Sequence, residues 1–116
     1  MKLLSRTEEY ILLAVIYLKE NAYAVGIRKR LKKVTEKSWS YGALFTSLEQ
    51  MVRKGYLKSY LTEPLHERGG RRKRVYQITD TGRDALFKIK EMGTVMWDTT
   101  FDILREGNRE ILETKE

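Results

Sequence analysis

The segment from residue 56 to residue 79 constrains the fold most, because a glycine pair separates two stretches that alternate like β-strands. The first stretch comprises residues 56–62 and the second residues 72–79, with a loop of residues 64–70 between them. Gly69 and Gly70 allow a tight turn with positive φ angles. The segment therefore predicts an antiparallel β-hairpin.

Positive charge is concentrated on this hairpin. Five cations lie within seven positions around the glycine pair: Arg68, Arg71, Arg72, Lys73 and Arg74. Residues 67–74 contain these five bases and one acid, a net charge of +4 out of +7 for the whole chain. Because arginine binds phosphates bidentately and enters narrow minor grooves, the cluster favours a polyanionic partner over a merely solvated loop.

Three helical patterns precede the hairpin. Residues 5–8 have the sequence of a capping box, and the apolar run that follows predicts a first helix over about residues 6–20, buried on most faces. A second helix, about residues 23–35, has one apolar and one basic face. A third helix, about residues 40–54, begins at Ser40 as N-cap and ends at Gly55.

The third helix has two distinct faces. Its predicted core face is Tyr41, Leu44, Phe45, Leu48, Met51 and Val52. The other face has short or polar, uncharged side chains, which can contact base edges, and lysine follows at its end for phosphates. The candidate DNA contacts of this helix are Ser40, Tyr41, Ala43, Thr46, Ser47, Gln50 and Lys54.

The order of these elements predicts a winged helix-turn-helix within a mainly α chain that carries a small β-hairpin (an α+β fold). In that fold the third helix enters the major groove and the hairpin, or wing, lies along the DNA backbone. We therefore expect residues 1–80 to form a DNA-binding domain. The wing cations Arg68, Arg71, Arg72, Lys73 and Arg74 are its expected phosphate contacts.

A long fourth helix is predicted over about residues 81–106, followed by a charged end that frays, within a C-terminal region of residues 81–116. Its apolar residues persist far beyond what a small core can cover, which favours a two-fold dimer. The candidate interface residues are Ile89, Met92, Met96, Trp97, Thr100, Phe101, Ile103 and Leu104.

Trp97 has two interpretations. Tryptophan is enriched at protein interfaces, so an anchor packed against a partner protomer is favoured. The alternative is a pocket for a small aromatic effector, lined by Tyr10, Met92, Met96, Trp97 and Phe101.

The stretches SYGALFTSLEQMVRKGYLKS and RRKRVYQITDTGRDAL resemble the PadR family of bacterial transcriptional regulators. The matching positions are Gly42, Leu48, Gly55, Leu57, Ser59, Arg74, Tyr76, Thr79 and Gly82. Phe45-Thr46 replaces the family's usual aromatic-proline pair, Val75-Tyr76 its double tyrosine, and Val25-Gly26 its tyrosine-glycine. The resemblance, over about residues 7–90, implies a dimeric repressor that binds an inverted repeat and dimerises through its last and first helices. It also implies that a flat aromatic compound can bind between tryptophans near the dimer centre.

Composition narrows the remaining classes of function. A hydrophobic content of 41% suits a packed globule, and the longest apolar run, residues 10–18, is too short to span a membrane. The chain has no cysteine, and its one histidine, His66, lies in the predicted wing loop, so we expect no metal, no cofactor and no enzyme activity. We expect a cytoplasmic protein whose partners are double-stranded DNA and a second copy of itself. The alternatives are a winged-helix module for protein partners, or a plasmid or phage replication or partition factor.

Overall fold

The structure is a computed structural model that describes residues 2–62 and 72–114. Side chains are described as far as residue 107, and most of the described residues are helical. The helices are α1 (Arg6–Leu18), α2 (Ala24–Thr35), α3 (Tyr41–Arg53), α4 (Asp80–Asp98) and α5 (Phe101–Thr114), and a 3-10 turn (Lys19–Asn21) follows α1. Strands β1 (Leu57–Leu61) and β2 (Arg74–Ile78) form the sheet of the described residues. The predicted order of a winged helix-turn-helix is confirmed.

The two strands pair antiparallel, from Leu57 opposite Ile78 to Leu61 opposite Arg74. Beyond the last pair, the Thr62 amide donates to the Lys73 carbonyl at 2.8 Å, so the ladder continues toward the wing. The wing tip, residues 63–71, lies outside the described residues. The predictions for Arg68, Arg71 and His66 concern residues of this segment.

Contacts divide the chain into two units, residues 1–86 and residues 87–116. The first unit has an apolar core to which α1, α2, α3 and both strands contribute. Its buried side chains are Leu4, Ile11, Leu12, Ala14, Val15, Ala22, Ile27, Leu31, Leu44, Leu48, Met51, Leu57, Val75, Tyr76 and Ile78. Among the described residues, no polar or charged side chain is buried there.

Predicted helix caps are present at two helices. The Ser5 hydroxyl accepts from the Glu8 amide at 3.1 Å and the Glu8 carboxylate accepts from the Ser5 amide at 2.8 Å, which completes the capping box. The Ser40 hydroxyl accepts from the Ala43 amide at 3.1 Å and starts α3. Gly55 follows α3 with φ of 83°, a conformation that glycine adopts at little steric cost.

Two expectations about helix burial are wrong. We expected α1 to be buried on most faces, yet Leu13, Ile16 and Tyr17 are exposed in the single chain. The Tyr17 ring is instead covered by a guanidinium, because the Arg30 Cζ lies 3.6 Å from its centroid. On α2, Val34 is exposed although its spacing matches the core positions.

The predicted long C-terminal helix is present as α4, but its predicted end near residue 106 is wrong, because α4 ends at Asp98 and α5 begins at Phe101. The Thr99 hydroxyl donates to the Val95 carbonyl at 2.9 Å, a local bond that competes with the helix backbone. The Thr100 carbonyl then accepts from the Leu104 amide and begins the next helix. The end expected to fray is helical as far as Thr114.

The passage from β2 to α4 depends on Thr79 and Gly82. The Thr79 hydroxyl lies 2.5 Å from the Gly55 carbonyl oxygen and accepts from the Gly82 amide at 3.0 Å. A Cβ atom added to Gly82 would collide with the Tyr56 carbonyl oxygen and would lie 2.8 Å from a side-chain carbon of Ile78. Residue 82 therefore has no room for a side chain.

We expect Gly82→Ala to lower the free energy of unfolding by about 1–3 kcal/mol, because the added methyl group forces the backbone apart. The measurement is urea denaturation followed by circular dichroism, at one protein concentration. Gly93→Ala is the matched control, since no atom lies within 4 Å of its added Cβ, and alanine should stabilise α4 by about 0.5–1 kcal/mol. Equal stability of Gly82→Ala and wild type would contradict the close contact.

Candidate nucleic-acid interface

Helix α3 turns one face to the core and one face outward. Leu44, Leu48 and Met51 are buried. The opposite face presents the exposed side chains of Ala43, Thr46 and Gln50, with Ser47 partly buried at its edge. Because these four residues carry no negative charge, they would not repel DNA phosphates, and their side chains can approach base edges.

Tyr41 and Phe45 do not belong to the core, which corrects the prediction for that face. Their exposed fractions are 47% and 51%. The Arg28 Cζ lies 4.5 Å from the Tyr41 ring centroid, so Tyr41 stacks under a guanidinium from α2. The periodicity of α3 could not separate Phe45 from the core, because this position lies at the border of the apolar stripe. Phe45 therefore adds an aromatic ring to the exposed surface beside Thr46.

Arg28 joins the two helices of the helix-turn-helix. Its Nε donates to the Trp39 carbonyl at 2.6 Å, across the turn that leads into α3. Trp39 is only partly buried, and its indole N–H has no hydrogen-bond partner among the described residues. Sequence reasoning assigned Arg28 to a solvated basic face and so missed this contact.

The base of the wing is tied to the residues that precede α2. The Tyr76 amide donates to the Ala22 carbonyl at 3.0 Å, and the Lys73 Nζ lies 4.9 Å from the Tyr23 ring centroid. The Arg74 guanidinium donates to the Ser59 hydroxyl at 2.9 Å, across the hairpin. Arg72, Lys73 and Arg74 are all exposed. The described wing cations thus project from a ribbon that a backbone hydrogen bond joins to the segment before α2.

Lys54, the last candidate contact of α3, forms an ion pair. Its Nζ lies 2.9 Å from the Glu8 Oε2, at the first turn of α1. Partial burial of the Glu8 carboxylate opposes its ionisation, but hydrogen bonds from Ser5 and Lys54 outweigh that effect and lower the pKa of Glu8. The hydrogen bond to Glu8 and its negative charge raise the pKa of Lys54. The sequence pattern identified Glu8 as a capping residue but did not predict its ion pair with Lys54.

The candidate interface residues of the C-terminal region are mostly exposed in the single chain. Met96 is 68% exposed and Trp97 58% exposed, and Ile103 and Leu104 on α5 are also exposed. The Trp97 and Phe101 rings meet edge to face, with centroids 5.9 Å apart. Because α4 and α5 are separate helices, the residues do not form the continuous stripe that one long helix would present.

The residues of the predicted effector pocket lie on three helices. Met92, Met96 and Trp97 are on α4 and Phe101 begins α5. Tyr10 lies on α1, where it lines an apolar groove of about 160 Å³ with Leu13, Ala14, Arg30, Leu31, Val34 and Thr35.

The described residues contain no cluster of three or more histidine, cysteine, aspartate or glutamate side chains that could hold a metal ion. Within the same residues, no helix is long and apolar enough to cross a membrane.

Comparisons with known proteins place this arrangement in a family. A model of the transcriptional regulator PadR-like family matches residues 12–88. A PadR-like transcription factor from Bacteroides fragilis is similar at 23% identity and a TM-score of 0.65, over 84% of this chain and 89% of that chain. A PadR family transcription regulator from Clostridium difficile is similar at 25% identity and a TM-score of 0.54, over 84% and 95% of the two chains.

A further solved structure has a similar fold. RosR from H. salinarum is similar at 19% identity and a TM-score of 0.63, over 97% of this chain and 94% of that chain. A search of curated proteins found no match. Because the family match spans more than half of the residues and includes α2, α3 and both strands, the chain belongs to the PadR-like family of DNA-binding transcriptional regulators.

Proposed function

We propose that this regulator is a dimeric, sequence-specific repressor that acts in the cytoplasm and binds an inverted repeat. The observation that supports this best is the exposed, uncharged face of α3, together with a cationic wing whose base is bonded to the segment before α2. In this proposal α3 enters the major groove, where Ala43, Thr46, Ser47 and Gln50 contact base edges. Ser40 and Tyr41 contact the DNA at the start of the helix.

The wing supplies contacts that do not depend on sequence. Arg72, Lys73 and Arg74, with Arg68 and Arg71 of the wing tip, bind phosphates of the backbone. Lys54, at the end of α3, is the candidate for a further phosphate contact, for which a phosphate must compete with the Glu8 carboxylate. Phosphate contacts orient the protein on DNA and make its affinity salt-dependent, whereas the contacts of α3 decide which sequence is preferred.

Dimerisation is the second part of the proposal. Ile89, Met92, Met96, Trp97, Thr100, Phe101, Ile103 and Leu104 form the interface on α4 and α5. Six of these are large apolar side chains exposed in the single chain, an arrangement that soluble monomers rarely show. A two-fold dimer buries such a surface and presents two recognition helices to the two halves of an inverted repeat.

The third part of the proposal is regulation by a small, flat aromatic compound. Trp97 and Phe101 form an edge-to-face pair, and α4 also carries Met92 and Met96, side chains that adapt to planar ligands. With Tyr10 they are the proposed effector pocket, and binding there relieves repression.

We expect Arg72→Ala and Gln50→Ala to affect DNA binding in different ways. Arg72→Ala should weaken binding to preferred and random duplexes alike and reduce the slope of log affinity against log salt by about 0.9, the loss of one phosphate contact. Gln50→Ala should change the preferred sequence, because it removes a base contact. The measurement is fluorescence anisotropy on a duplex selected in vitro with the wild type and on a shuffled duplex. Lys90→Ala, on α4, is the control for loss of one charge, and the same response to all three changes would contradict the docking.

We expect Met96→Lys to convert the dimer to a monomer at micromolar concentration, because it places a charge in an apolar interface. Sedimentation velocity measures the change. Thr94→Lys adds the same charge at another exposed position of α4 and should remain a dimer. If the wild type sediments as a stable monomer, the proposed dimer is excluded. The anisotropy measurements above test DNA binding by α3 independently of this result.

We expect planar cationic dyes to quench Trp97 fluorescence at micromolar concentration in the Trp39→Phe variant, in which Trp97 is the remaining tryptophan of the two in the chain. Stacking of the dye on the indole is the physical reason. The variant Trp97→Phe, which retains Trp39, should show little quenching. If dyes leave the fluorescence of Trp39→Phe unchanged, Trp97 serves as an interface anchor rather than as part of an effector pocket.

A further inference from the structure

A cleft separates the N-terminal segment from the recognition helix α3. It has a volume of about 430 Å³ and is lined by Lys2, Leu3, Ser5, Thr7, Glu8, Ser47, Gln50, Met51 and Lys54. Ser47 and Gln50 belong to the outward face of α3, so a DNA strand that contacts this face passes beside the cleft. Among the described lining residues, Glu8 carries the one carboxylate, between the cations Lys2 and Lys54.

The Glu8 carboxylate is held in place by two partners. Its Oε1 accepts from the Ser5 amide at 2.8 Å, while its Oε2 accepts from the Lys54 ammonium at 2.9 Å. The Glu8 side chain is 17% exposed, whereas that of Lys54 is 42% exposed. The capping box of α1 therefore fixes a negative charge beside the end of α3, and the more exposed lysine is bound to it.

This pair sets a competition for Lys54. A DNA phosphate that approaches the end of α3 must take the ammonium from a carboxylate that is already positioned, and the same carboxylate repels the phosphate. An exposed lysine without such a partner would bind any phosphate and would add to affinity for DNA of every sequence. Because Lys54 is paired with Glu8, exchanging the carboxylate for a phosphate adds little to the affinity for DNA.

We propose that Glu8 limits the affinity of this regulator for non-specific DNA by holding Lys54 in an ion pair at the edge of the recognition face. The proposal rests on the function proposed above, since it concerns the same DNA-binding surface. Its consequence is a lower affinity for DNA of every sequence. Phosphate contacts supply nearly all of the affinity for random DNA, so cancelling one of them lowers the strength with which the regulator binds DNA outside its sites.

The test is Glu8→Gln, which removes the charge and retains an oxygen that can accept from the Ser5 amide. Binding to a random 24-bp duplex, an arbitrary length of about two helical turns, is measured by anisotropy over a series of salt concentrations. We expect the slope of log affinity against log salt to steepen by about 0.9, which is one additional phosphate contact. The ratio of affinities at about 50 mM and 200 mM salt then rises about three-fold. Affinity for the selected duplex rises as well, because a phosphate contact does not depend on sequence.

Two further variants separate this mechanism from simpler ones. Glu9→Gln removes the carboxylate of a neighbouring surface ion pair, 3.3 Å from Arg6, and controls for the change in net charge. We expect it to leave the slope nearly unchanged. In a Lys54→Met background, Glu8→Gln should have no effect on the slope, because no ammonium remains to be released. Thermal denaturation of each variant verifies that the fold persists.

The outcomes distinguish the inference from the proposed function. If the wild type binds duplexes and Glu8→Gln leaves the slope unchanged, the role of Glu8 is excluded while DNA binding stands. If Glu8→Gln steepens the slope by the same amount in the Lys54→Met background as in the wild type, Glu8 acts by direct repulsion of phosphates, and its action through Lys54 is excluded. If the wild type binds neither the selected nor the random duplex at low salt, the proposed function itself fails, and the inference fails with it.

Discussion

The close approach of Gly82 to the Tyr56 carbonyl is the constraint on which the arrangement of the first unit depends. It brings the first turn of α4 against the backbone that links α3 to β1, and the Thr79 hydroxyl bonds to the same link. Because β2 ends immediately before this point, both strands of the hairpin are positioned relative to α3. A wing that was free to move relative to α3 could not bind the backbone and the major groove of one DNA site in a constant register.

Several cations of this protein have structural partners in addition to any role on DNA. Arg28 bonds to the Trp39 carbonyl, Lys73 lies over Tyr23, and Lys54 is paired with Glu8. Each contact joins two elements of the helix-turn-helix or the wing, so positively charged side chains also order the surface that is proposed to bind DNA. The count of 23 lysines and arginines in the sequence therefore overstates the number of cations that are free to bind phosphates.

Patterns in the sequence predicted the elements whose signals are local. The capping box at Ser5, the N-cap at Ser40 and the stop at Gly55 were all identified from neighbouring residues, and each is present. Predictions that required knowledge of packing were less accurate. Phe45 follows the spacing of the core yet is exposed, since periodicity marks a stripe but not its width. The break at Thr99 was missed because a threonine hydroxyl can bond to either a local carbonyl or solvent.

The sequence by itself determined the fold, because hydrophobic periodicity, helix caps and glycine turns act over a few residues and permit few arrangements of three helices and a hairpin. It also determined the type of partner, since a cluster of arginines on a hairpin suits phosphates. Only the tertiary structure decided which charges meet. Glu8 and Lys54 are separated by 46 positions, and no local pattern predicts their ion pair, because it depends on the packing of α1 against α3.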